Sequence, residues 1–228
     1  MIFLGIDCGT QSTKAIALDG DTGEVVAQAA EAYGLIPGLP RGHAEQHPAT
    51  WTGALDQTVA AVAAALGTRR GEVAGIGVSG QQHGLVVLDG KYEVIRPAKL
   101  WCDTSTAAEC DAFRAGFGGA AGLIALAGND VLPGFTAPKL LWMKRHEPEL
   151  FARIAHVALP HDYLNWHLTG RLSMEYGDAS GTAFLDVRRR EWCRPLVDFV
   201  DPRLVEALPV PGSSLAPAGV LRPELARA

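Results

Sequence analysis

Three apolar segments follow one another at the start of this chain: Ile2 to Ile6, Lys14 to Leu18, and Glu24 to Ala27. Between the last two stands Asp19-Gly20-Asp21-Thr22-Gly23, a strong turn signal. Segments joined this tightly form an antiparallel meander, because a parallel pair needs a much longer crossover. From Ala49 the hydrophobic period changes. Trp51, Leu55, Val59, Val62 and Leu66 recur every three or four residues, which predicts one face of an amphipathic helix ended by Gly67. A second strand group is expected at Ala74 to Ser79, Gly84 to Leu88 and Tyr92 to Ile95, with Asp89-Gly90 as the turn between the last two. Thr106-Ala107-Ala108-Glu109 has capping-box spacing and opens a helical section that runs, with breaks, to His146, with Pro138 in the first turn of its last helix. A short strand from Ala155 to Leu159 and a helix from His161 to Leu168 closed by Gly170 follow. The proline-rich last thirty residues show no terminal element. Strands interleaved with helices in this way predict an α/β fold.

Composition narrows the class. Hydrophobic residues make up 48% and charged residues 20% of the 228 positions, which excludes disorder, collagen and coiled coil as the main description. A formal charge of -5 removes the basic footprint of nucleic-acid or anionic-membrane binding. No stretch approaches the roughly 18 apolar residues of a membrane span, and the start lacks the basic region of a signal peptide. Cys8, Cys102, Cys110 and Cys193 form no C-x-x-C pair, so a soluble protein of a reducing, cytoplasmic compartment is expected.

Several motifs carry chemistry. Gly75-Ile76-Gly77-Val78-Ser79-Gly80 has the dinucleotide spacing, but its glycines lie inside a strand that leads to another strand, so no helix N-terminus receives a pyrophosphate. His43 and His47 are four apart, yet Pro48 argues for a loop over a zinc site. His161 and His167 read as polar termini of an amphipathic helix. Asp7-Cys8-Gly9-Thr10-Gln11-Ser12-Thr13-Lys14 admits two readings. A carboxylate at the end of a buried strand is compensated by a hydrated magnesium ion beside a phosphate-cradling turn, or it bonds the backbone of an ordinary hairpin. Gly80-Gln81-Gln82-His83-Gly84 offers amides and an imidazole between two strands, donors and acceptors that suit a neutral polyhydroxyl ligand or a plain polar turn. Asp103 either accepts ligand hydroxyls or caps the next helix.

In combination, the hairpin Gly5 to Lys14 together with Gly80 to Gly84, Leu100-Trp101-Cys102-Asp103, Pro133 to Trp142 and Asp178-Ala179-Ser180-Gly181-Thr182 resembles the FGGY carbohydrate kinases, and within them the enzymes acting on xylulose. The resemblance covers residues 1-228 and corresponds to the first of the family's two domains. It implies a ribonuclease-H-like α/β domain of the actin and sugar-kinase superfamily, with a mixed sheet flanked by helices. It also implies transfer of the ATP γ-phosphate to D-xylulose, with Mg2+ and without nucleic-acid or membrane partners. Asp7 would then organise the metal and its water, and Gly9, Thr10, Gln11, Ser12, Thr13 and Lys14 would surround the phosphate. Gln82, His83 and, more weakly, Asp103 would bind the ketose. The family's general base is an aspartate of the second domain, which with the adenosine pocket lies outside this sequence, so this chain alone is expected to be inactive. Its uncovered cleft face implies self-association, a homodimer. Cys102 departs from a common asparagine, and His43 stands where an aromatic residue is common. Alternatives are another family member acting on ribulose, gluconate or glycerol, or a non-catalytic sugar-binding module.

Overall fold

A computed structural model describes residues 1–227. The meander forms as expected: β1 (Ile2–Cys8), β2 (Ser12–Asp19) and β3 (Val25–Ala32) pair antiparallel in sequence. Then come the two-residue β4 (Glu45–Gln46) and α1 (Pro48–Leu66), which ends at Gly67. Ile2, Leu4, Ile6 and Cys8 alternate inward from β1 and meet Trp51, Leu55, Val62 and Leu66 of α1 in one core. β5 (Val73–Gly80) joins this same sheet, parallel to β1, giving the order β3-β2-β1-β5. The expected second strand group is therefore split, because only the long α1 crossover lets β5 lie parallel beside β1.

β6 (Val86–Leu88) pairs instead with β8 (His156–Ala158), far along the chain. Val86, Leu88 and Ala158 face the α1 core, while Leu85, Val87 and Val157 face a second core. This ribbon is the partition between the two. Between its strands lie the two-residue β7 (Ala98–Lys99), which pairs with β4 and was not anticipated, and α2 (Ala107–Gly116), α3 (Gly119–Ala127), α4 (Thr136–His146) and α5 (Pro148–Ala152). Pro138 stands in the first turn of α4, as expected. After β8 come α6 (Pro160–Thr169), closed by Gly170 in the left-handed region, β9 (Met174–Glu175) and α7 (Tyr176–Ser180).

Three local expectations give way. Tyr92 to Ile95 is not a strand: the Asp89 carboxylate accepts the Lys91 and Glu93 amides, Tyr92 turns left-handed at φ 63°, and only Val94 bridges to Leu88. The Thr106–Glu109 capping box does not form, since Thr106 Oγ1 donates to the Pro133 carbonyl at 2.8 Å and Glu109 pairs with Arg145 at 3.0 Å. The chain's last segment does carry an element, the short helix Pro223–Arg227.

Candidate functional site

The β1–β2 turn is held from behind. Tyr33 donates its hydroxyl to the Gly9 carbonyl at 2.8 Å, and Gln46 Nε2 donates to the Thr10 carbonyl at 2.7 Å. With the carbonyls turned back, the amides of Thr10 and Gln11 find no acceptor among the described residues, the arrangement an anion-binding turn needs. Not every residue of the motif shares this face. Thr13 is buried, with its hydroxyl 3.0 Å from that of Tyr33, so it braces the turn. Thr10 Oγ1 donates to Gln81 Oε1 at 3.3 Å and accepts the Trp101 indole N–H at 3.0 Å. Gln11 and Lys14 are exposed.

Asp7 corrects one premise. It is exposed, because its neighbours Ile6 and Cys8 are the residues that face the core. No ion is needed to offset burial, and its carboxylate makes no hydrogen bond to another described residue, lying opposite Lys14 across the ladder.

The adjoining loop is anchored at its start by the Gln81 amide, which donates to the Cys8 carbonyl at 2.9 Å. Gln81 is buried, whereas Gln82 points to solvent. His83 takes the left-handed conformation at φ 60°, sparsely populated for a residue with a Cβ. Its carbonyl is gripped by Lys139 Nζ at 2.7 Å and Thr136 Oγ1 at 3.2 Å. Lys139 Nζ also donates to the Gly134 carbonyl at 2.6 Å. The imidazole lies 4.7 Å from the Phe135 ring, and its Nδ1 is buried without a hydrogen-bond partner among the described residues. Burial holds it below the usual histidine range, with Asp178 opposing, so the ring is neutral and carries both a donor and an acceptor. Sequence reasoning missed Lys139. Its helical spacing from Thr136 and Met143 marks the buried face of α4, an unusual place for a lysine.

Gly181 closes this pocket. A Cβ there would overlap Nδ1 and Cε1 of His83 while its own φ tolerates alanine, so Gly181→Ala should displace the imidazole without unfolding the chain. If His83 binds the ketose that the resemblance implies, sugar affinity should fall about 10- to 100-fold, the loss of one buried polar partner. Isothermal titration with the ketose tests this, and unchanged affinity would remove His83 from the site.

His161 also departs from expectation. Its Nδ1 lies 2.7 Å from Asp178 and its Nε2 3.1 Å from Asp162. Burial disfavours its charge, but the two carboxylates prevail and raise it to about 10. A half-buried cation thus ties α6 to α7. His167 pairs with Asp56 at 2.9 Å nearer the surface.

Asp103 neither caps α2 nor faces solvent. One carboxylate oxygen accepts the Ala44 amide and Lys99, and the other accepts the Ser105 amide and hydroxyl. Burial pushes it upward, but these donors hold it below the usual carboxylate range. His43, Glu45 and Asp103 converge as metal ligands would, but the Lys99 ammonium sits among them, 3.2 Å from Glu45 and 3.1 Å from Asp103. The cation of this cluster is the chain's own, and His47 is not part of it. Trp101, 51% exposed above Thr10, is a further residue that sequence reasoning left unassigned.

Residues 2–228 match the family model of the FGGY family of carbohydrate kinases, N-terminal domain. The xylulose kinase of Haemophilus influenzae is 42% identical over 234 residues, covering 99% of this chain and 47% of that protein. A xylulose kinase structure from Rhodospirillum rubrum superposes with a TM-score of 0.92 at 30% identity, covering 100% of this chain and 46% of that one. A gluconate kinase structure from Lactobacillus acidophilus reaches 0.90 at 26% identity, covering 99% and 44%. The chain spans about half the length of the relatives it matches. No helix of the described residues is long and apolar enough to cross a membrane.

Proposed function

The chain belongs to the FGGY family of carbohydrate kinases, and from that premise we propose that it forms the N-terminal, sugar-binding half of an enzyme that transfers the ATP γ-phosphate to D-xylulose. The observation that carries this is the junction of the two loops. Gln81, at the head of the His83 loop, is bonded both to the Cys8 carbonyl at 2.9 Å and to Thr10 of the phosphate hairpin at 3.3 Å. A phosphate site and a hydroxyl-binding site so joined suit phosphoryl transfer, whose catalysis is positioning and charge stabilisation.

Free amides at Thr10 and Gln11 would take phosphate oxygens, with Lys14 adding positive charge nearby. Neutral His83 and exposed Gln82 would bind sugar hydroxyls, and Asp103 acts one step back, bracing the Trp101 loop. The exposed Asp7 carboxylate, a hard oxygen donor beside that turn, fits magnesium and would hold it through water. When bound, the ion neutralises charge on the transferred phosphoryl group. The general base and adenosine pocket would come from the second of the family's two domains, so turnover is sought in the full-length protein. A cytoplasmic protein without nucleic-acid or membrane partners agrees with the net charge of -5 and the free cysteines, and a homodimer belongs to the same proposal.

The test is an ADP-release assay on the full-length protein. D-xylulose should be the preferred acceptor, with ribulose, gluconate and glycerol slower. A higher kcat/KM on gluconate would move the enzyme to another branch of the family, and sugar binding without any turnover would favour a non-catalytic module.

A further inference from the structure

Gln46 lies on the two-residue β4 and is 1% exposed, and the function proposed above gives it no ligand to bind. Its carboxamide is fully committed inside the protein. Nε2 donates to the Thr10 carbonyl at 2.7 Å and to the Gly34 carbonyl at 3.1 Å. Oε1 accepts from Trp51 Nε1 at 2.9 Å and from Gln81 Nε2 at 3.1 Å. An indole N–H only donates, so Trp51, fully buried on α1, dictates which end of the amide is oxygen and leaves Nε2 for the hairpin. Gln81 closes the circuit by accepting from Thr10 Oγ1 at 3.3 Å. Two loops far apart in sequence are thereby fastened to one amide whose orientation is set by the core.

We propose that Gln46 is a positioning residue that fixes the separation of the phosphate hairpin from the sugar loop. This rests on the kinase function proposed above. A planar amide with all four hydrogen-bonding positions filled cannot shift toward one loop without releasing the other, so both loops keep one relative placement. Phosphoryl transfer is sensitive to that placement, because a misplacement of about 1 Å costs on the order of 100-fold in rate.

The experiment is a cycle in the full-length protein of Gln46→Met, Gln81→Met and the double variant, methionine keeping the buried volume while removing the bonds. Gln46→Met is expected to lower kcat about 10- to 100-fold with the sugar KM changed less than about threefold. The double variant should be no worse than Gln46→Met alone, since both break one circuit. Fold-losses that multiply, or an unchanged kcat in Gln46→Met, would overturn the proposal. A purely structural role would lower the thermal midpoint and leave the kcat of the folded fraction intact.

A second readout does not depend on the sugar. Gln81→Met should speed amide hydrogen exchange at Gly9, whose N–H closes the turn segment on the Ser12 carbonyl at 2.9 Å, and in the Gln46→Met background it should add nothing further. Unaltered exchange at that amide on Gln81→Met refutes the coupling, even where Gln46→Met fails to fold. Coupled exchange in a protein that phosphorylates no ketose would instead refute the kinase reading and leave the coupling standing.

Discussion

Asp7→Asn in the full-length protein should lower kcat about 100-fold or more while leaving the xylulose dissociation constant within about twofold. The carboxylate is exposed and makes no hydrogen bond to another described residue, so an isosteric amide costs the fold little. What it loses is the negative charge that would hold magnesium beside the turn whose Thr10 and Gln11 amides find no acceptor among the described residues. Charge stabilisation of this kind acts on the transferring phosphoryl group and hardly at all on the bound sugar. Steady-state kinetics at saturating magnesium, paired with sugar titration, separates the two. Near-normal turnover would exclude Asp7 from metal binding, and loss of sugar affinity would move it to the ketose side.

The position of Asp7 shows how far the sequence could be read. Period-two alternation places Ile2, Leu4, Ile6 and Cys8 on one face of β1, which already puts Asp7 on the other. The residue was legible and so was its exposure; the expectation of burial came from treating the apolar run as buried on both faces. The meander, α1 and its Gly67 terminus were legible for the same reason, since each is set by local period and turn chemistry. What was not legible depends on contacts distant in sequence. β6 finds β8 about seventy residues later, and nothing in either three-residue segment specifies the other. His161 reads as the polar end of a helix because Asp178, which with Asp162 makes it a half-buried cation, lies on a different element. Lys99 stands in a two-residue strand too short for any period, yet its ammonium fills a cluster that otherwise resembles a metal site. Gln46 carries no motif chemistry of its own and acquires its importance from four partners, only one of which, Trp51, is close in sequence.

Lys139 presents the sharpest conflict between stability and function, and Lys139→Met should separate them. Burial pulls its ammonium from 10.5 to about 7, a cost to folding of about 5 kcal/mol that methionine would relieve. Against this, the carbonyls of His83 and Gly134 lose their donor, at about 1 to 3 kcal/mol each, and His83 keeps only Thr136. The two effects largely offset one another, so global stability at neutral pH should change by no more than about 3 kcal/mol. The left-handed backbone of His83, however, loses its main restraint, and sugar affinity should fall about tenfold or more. The pH dependence of stability gives an independent sign. The Lys139 pKa is lowered on folding, so between about 7 and 10.5 the unfolded chain binds more protons and stability rises with pH. The His161 pKa is raised from 6.5 to about 10, so its stabilisation is complete below 6.5 and is lost as pH rises through about 10. The two slopes oppose one another in the wild-type protein. Lys139→Met removes the rising one, and its thermal midpoint should therefore decline from pH 7 to 10 more steeply than that of the wild type. Parallel curves would mean that Lys139 keeps its ordinary protonation when buried, and a variant with intact sugar affinity would show that His83 is held without it.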